Sequence, residues 1–185
     1  MDNGASSYRR FLDGDDTGIV EIIRDYKDGL ILYLNGFVGN IYTAEELMED
    51  VFFKLVTKKP KFSGNCNFKT WLYSIGRNTA IDYVRHNGKI ADISIDDCET
   101  YVDEEESLEK SYLVEERKII VHKALGKLKP EYGQILYLIY FEGFSNREAA
   151  TVMKKSKHQV ENLVYRARMS LKSELCKEGF IYEEL

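Results

Sequence analysis

Apolar residues recur in this chain with the spacing of a helix and are almost never interrupted by a breaker. Proline occurs only at Pro60 and Pro130, and long stretches without it favour helices. From Asp15 to Val38, Ile19, Val20, Ile22, Ile23, Tyr26, Leu30, Ile31, Leu34, Phe37 and Val38 fall close to a 3.6-residue period. This predicts one long amphipathic helix, ended by Gly36 and Gly39. Thr43-Ala-Glu-Glu46 reads as a capping box that opens a second helix to about Val56. Pro60 and residues 61–67 form a loop, a third helix runs from about Phe68 to Arg85, and Asn87-Gly88 stops it. Beyond it, a helix is expected over about 107–128, another from Pro130 to Phe141 ended by Gly143, and two more opened by Ser145-Asn-Arg-Glu148 and Ser156-Lys-His-Gln159. No strand-like alternation of useful length competes, so the fold class is all-α.

Charge divides the helices into two blocks. The formal net charge is −5, yet Asp92, Asp96, Asp97, Glu99, Asp103, Glu104, Glu105, Glu106 and Glu109 follow one another with no Lys or Arg between them. Without that segment the chain would carry +4. The segment shows no helical period and reads as an acidic linker. From Arg147 to Lys172 seven basic residues stand against Glu148 and Glu161. Segregation of this kind says more about partners than the total does.

The last two helices carry the chemistry. Two capping boxes eleven residues apart, with a short helix, a tight turn and a long helix, describe a helix-turn-helix. In the long helix Val160, Leu163, Val164, Ala167 and Leu171 form the stripe to be buried. Lys157, His158, Gln159, Glu161, Asn162, Tyr165, Arg166 and Arg168 are left on the outer faces. Its N-terminal end presents donors and acceptors for base edges, while Arg166, Arg168, Lys154 and Lys155 suit phosphates. The turn holds Lys154 and Lys155 where a glycine is often found. An ordinary helical hairpin with a solvated basic face fits the same pattern.

Other classes find little support. Cys66, Cys98 and Cys176 are scattered, as are His86, His122 and His158. Neither a zinc site nor a disulfide framework is indicated, and no metal is expected. No clustered nucleophile and base and no Gly-rich phosphate loop is present, so an enzyme is not expected. The N-terminus is polar and no apolar run approaches a membrane span, which points to the cytosol and to no membrane insertion.

Gly143-Phe-Ser-Asn-Arg-Glu-Ala-Ala150, then Ser156 and Val160, ending in Tyr165-Arg-Ala-Arg168, resembles the C-terminal promoter-binding domain, region 4, of extracytoplasmic-function (ECF) sigma factors of the sigma-70 family. Ala44-Glu-Glu-Leu-Met-Glu-Asp-Val-Phe52 resembles the core-polymerase-binding helix of sigma region 2. Phe68-Lys-Thr-Trp-Leu-Tyr-Ser-Ile-Gly-Arg-Asn78, followed by Asp82-Tyr-Val-Arg85, resembles the strand-opening helix that reads the −10 element. The resemblance spans about residues 8 to 176. It implies two small helical domains, a region 2 bundle over 1–90 and a region 4 helix-turn-helix over 109–185, joined by the acidic linker at 91–108. It implies no catalytic site and no cofactor. Its partners would be promoter DNA and core RNA polymerase, gripped at a coiled coil of the largest subunit and the flap of the second-largest. Many relatives are held inactive by an anti-sigma factor, and the resemblance extends to such a partner.

Site residues follow from the same match. Glu46, Leu47, Glu49, Asp50 and Phe52 would bind core polymerase, an acidic and apolar face suited to a basic groove. Ser63, Asn65, Asn67, Phe68, Lys69, Arg77, Asn78, Asp82 and Arg85 would handle the −10 element, whose extruded base needs stacking and hydrogen bonds. Ser156, Lys157, His158, Gln159, Glu161, Asn162, Tyr165 and Arg166 would face the −35 element. The chain departs from the family at Glu161, where many relatives carry lysine, and at Leu163, where arginine is common. The alternative function is a stand-alone helix-turn-helix regulator, which would bind an operator duplex tightly without polymerase.

Overall fold

A computed structural model describes residues 3–87, 121 and 124–177. The acidic linker and most of the helix expected over 107–128 lie outside the described residues; of that helix, residues 124–126 are helical. Among the described residues every regular element is a helix.

The chain opens with a helix its polar composition conceals, α1 (Asn3–Leu12). Gly4, Ser7, Tyr8 and Phe11 make its buried edge, at spacings of three and four. Small residues let it lie close to the next helix: a side chain at Gly18 would come within 2.2 Å of the Ser7 carbonyl oxygen. The Tyr8 hydroxyl donates to the Pro60 carbonyl at 2.8 Å and its ring meets Phe68 and Trp71, fastening α1 to the loop that holds Pro60.

Helix α2 (Thr17–Val38) buries Ile19, Ile22, Leu30, Tyr33, Leu34 and Val38, as its period requires. Gly39, left-handed at φ 65°, ends it by donating to Asn35 O at 2.8 Å, while Gly36 lies within the helix. Helix α3 (Ile41–Lys58) begins earlier than Thr43, because Asn40 is the cap: its side chain accepts from Thr43 N at 3.0 Å. The box expected at Thr43 therefore does not form. Helix α4 (Phe68–Asn87) is capped by Asn67, whose Oδ1 accepts from Thr70 N at 2.7 Å. Helices α1 to α4 pack as one bundle.

In the second module α5 (Pro130–Leu136) has proline in its first turn. Residues Tyr137–Phe141 continue it as a wide π turn, closed by Glu142 N donating to Tyr137 O at 3.1 Å. Gly143, at φ 69°, breaks the helix as expected. Helices α6 (Asn146–Met153) and α7 (Lys157–Lys177) then form the helix-turn-helix. Both of its capping boxes are present: Ser145 with Glu148, and Ser156 with Gln159. Lys154 holds the turn in the left-handed region at φ 54°, the role glycine fills more cheaply. The two modules touch, α5 against α2 and α6 against α4, and share one apolar core.

Candidate nucleic-acid interface

On α7 the burial follows the period. Val160, Leu163 and Ala167 are buried and Val164 and Leu171 half-buried, so Lys157, His158, Gln159, Glu161, Asn162, Tyr165, Arg166 and Arg168 are all exposed. Several are already engaged with each other. Gln159 accepts from Ser156 N at 2.8 Å in the cap. Lys157 pairs with Glu161 at 3.5 Å, and His158 Nε2 lies 3.1 Å from Asn162 Nδ2. The departure at Glu161 is thus partly offset by its neighbour, while among the described residues nothing pairs with Arg166. Donors, acceptors, an aromatic ring and a free guanidinium on one exposed face are the set that duplex readout uses.

On α4 the predicted residues separate into two groups. Arg77, Asn78, Asp82 and Arg85 line a single open cleft of ≈ 450 Å³ together with Ile81 and, from the helix-turn-helix turn, Lys154. Asp82 and Arg85 are only weakly joined at 4.0 Å, and Arg77 Nε is buried without a hydrogen-bond partner. A cleft with three cations and two groups able to read a base edge suits a nucleic-acid strand. Nothing about Lys154 in its sequence neighbourhood signals this place; only tertiary packing brings it to α4.

The second group is the loop and first turn. Ser63, Asn65 and Asn67 are exposed. Phe68, expected beside an extruded base, is fully buried among Tyr8, Tyr26, Phe62 and Trp71. It supports the loop from beneath and offers no face to a base. Trp71 belongs to the same aromatic cluster. Lys69 Nζ pairs with Glu142, and Asn67 Nδ2 donates to Glu148 Oε1.

The α3 face also rearranges the expectation. Glu46, Glu49 and Asp50 are exposed, but Leu47 and Phe52 are core side chains. The apolar area open to a partner comes instead from Tyr42, Phe53 and Val56, which with Glu45, Glu46 and Glu49 form one stripe along the helix. A count of buried positions against a helical wheel could have singled out Phe53.

Among the described residues no group of three or more His, Cys, Asp or Glu could hold a metal, and no helix is long and apolar enough to cross a membrane. Residues 22–90 match the model of sigma-70 region 2 and residues 118–171 that of sigma-70 region 4. The chain is 29% identical over 164 residues to RNA polymerase sigma factor YlaC of Bacillus subtilis (strain 168), covering 86% of this chain and 92% of that one. Over 155 residues it is 26% identical to the ECF RNA polymerase sigma factor SigM of the same organism, covering 84% and 93%. Its fold is similar to the sigma factor RpoE co-crystallised with the anti-sigma factor NepR from Bartonella quintana, with a TM-score of 0.62 at 23% identity over 84% of this chain and 94% of that chain. With region 2 and region 4 matched in order along one chain, and curated relatives aligned over most of its length, this protein belongs to the extracytoplasmic-function subfamily of sigma-70 factors, which direct RNA polymerase to promoters.

Proposed function

We propose that the two helical modules engage the two promoter elements separately while both hold core polymerase. Residues 1–90 would form the region 2 module, which docks the α3 stripe on the largest-subunit coiled coil and opens the −10 element along α4. Residues 109–185 would form the region 4 module, which sits on the flap of the second-largest subunit and lays α7 in the −35 major groove, with 91–108 as the tether. The observation that carries this reading is the α4 cleft: Arg77, Asn78, Asp82 and Arg85 converge on it from one helix, in a chain whose α7 independently presents a duplex-reading face. A stand-alone helix-turn-helix regulator has no use for the first surface.

The chain itself supplies no reacting group in this reading; the polymerase does the chemistry, in the cytoplasm. An anti-sigma partner is consistent with the fold likeness to a sigma factor solved with one. The test is transcription by core polymerase, with and without this chain, on templates carrying random upstream sequence. The expected result is chain-dependent transcripts whose start sites share two upstream elements. Core enzyme that gains no defined start site from the chain overturns the reading.

A further inference from the structure

Two groups proposed for the −10 strand, Lys69 and Asn67, are occupied by carboxylates of the other module. Lys69 Nζ lies 2.7 Å from Glu142 Oε2 and donates to the Glu142 carbonyl at 2.8 Å. Asn67 donates to Glu148, the same carboxylate that closes the Ser145 box. Glu142 is well enclosed, with its side chain 12% exposed, and Tyr137 donates to it at 3.0 Å. The Tyr137 hydroxyl also lies 3.2 Å from Gly29 O on α2. Gly29 makes the room: a side chain there would meet Glu142 Oε1 at 2.4 Å and the Tyr73 hydroxyl at 2.6 Å. A carboxylate paired with Lys69 offers it the same thing a phosphate would, an anionic oxygen.

The apolar core and the Tyr73–Phe144 and Tyr33–Tyr137 ring contacts also hold the modules together, but the cleft beside the clasp works against it. Lys154 faces Arg77 and Arg85 across the cleft, and like charges at that junction favour separation. We propose that Glu142 and Glu148 act as an acidic clasp, holding Lys69 and Asn67 in place of promoter DNA so that the free chain masks part of its own strand-binding surface. DNA, a polyanion, would both replace the carboxylates at Lys69 and neutralise the cleft. The inference rests on the reading of α4 and its preceding loop as the −10 surface.

The test uses the full chain carrying Glu142→Gln and Tyr137→Phe, which leaves every proposed DNA-contacting residue in place. Circular dichroism melts verify that the variant is folded. The variant is expected to show a larger radius of gyration in small-angle X-ray scattering. It should also bind a fluorescein-labelled, random-sequence single-stranded DNA of about 12 nucleotides on the order of tenfold more tightly than the unaltered chain. The charge swap Lys69→Glu with Glu142→Lys should restore the original radius. An unchanged radius in the first variant, or expansion without a gain in DNA binding, overturns the clasp. Transcription by the unaltered chain with core polymerase separates the two readings. If it initiates at defined sites while the variant gains nothing, only the clasp is wrong; if it does not initiate, the promoter reading falls and takes the clasp with it.

Discussion

Phe52 and Phe53 are neighbours in sequence with opposite environments, 5% and 66% exposed. Replacing Phe52 with alanine removes a core ring and should cost about 3–5 kcal/mol of stability in urea unfolding. Phe53→Ala should change stability by no more than about 0.5 kcal/mol. If the α3 stripe meets core polymerase, it should nevertheless weaken that complex by roughly tenfold or more, measured by fluorescence anisotropy with labelled chain. Core affinity unchanged by Phe53→Ala would remove the stripe from the docking face. Within the run Val51-Phe-Phe53 the two rings look alike, and only the whole helix separates them: successive residues point about 100° apart, so the stripe of Ala44, Leu47, Val51 and Leu55 takes in Phe52 and leaves Phe53 opposite.

Helix α6 shows how much of an element can be written locally. The Ser145 hydroxyl, followed by the Ser145 backbone N–H, Asn67 and the charge of Lys69, holds the Glu148 carboxyl below its ordinary value of 4.5, against the opposing effect of partial burial. A depressed folded value means that the contribution is complete above about pH 4.5 and fades as pH falls through the folded value. Ser145→Ala should therefore cost about 1 kcal/mol in neutral urea titrations. The gap between variant and parent should narrow in acid; a gap equal at both pH values would remove Glu148 from the effect. Both helix-turn-helix caps were legible because a box is a four-residue pattern. The box at Thr43 was misread for the same reason: Asn40, three residues earlier, is a competing cap and takes the Thr43 amide. Helix α1 was invisible because half of its buried edge is Gly4 and Ser7, residues with no apolar signature.

At the scale of the molecule, the two surfaces proposed for promoter DNA should fail differently. Arg166→Ala should weaken holoenzyme binding to duplex promoter across sequences and lower the salt slope by about 1; a slope that does not move argues against a phosphate contact. Asn78→Ala should impair strand opening, seen by permanganate footprinting, more than it impairs assembly with core polymerase, and equal loss of both would deny Asn78 a base-reading role. The all-α class and the exposed face of α7 could be read from spacing. The contacts that join the modules could not, since Gly29, Lys69, Tyr137 and Glu142 are far apart in sequence and meet only through packing.

The π turn at Tyr137–Phe141 works as a phase shift in the chain. A regular α-helix would complete its turn one residue sooner, and each residue is worth about 100° of rotation. Tightening these five residues to regular α geometry with none removed would swing Glu142 and everything after it around the axis by roughly a quarter turn. The carboxylate would then look away from Lys69, and the reading helix would be re-aimed with no alteration to any residue of its own.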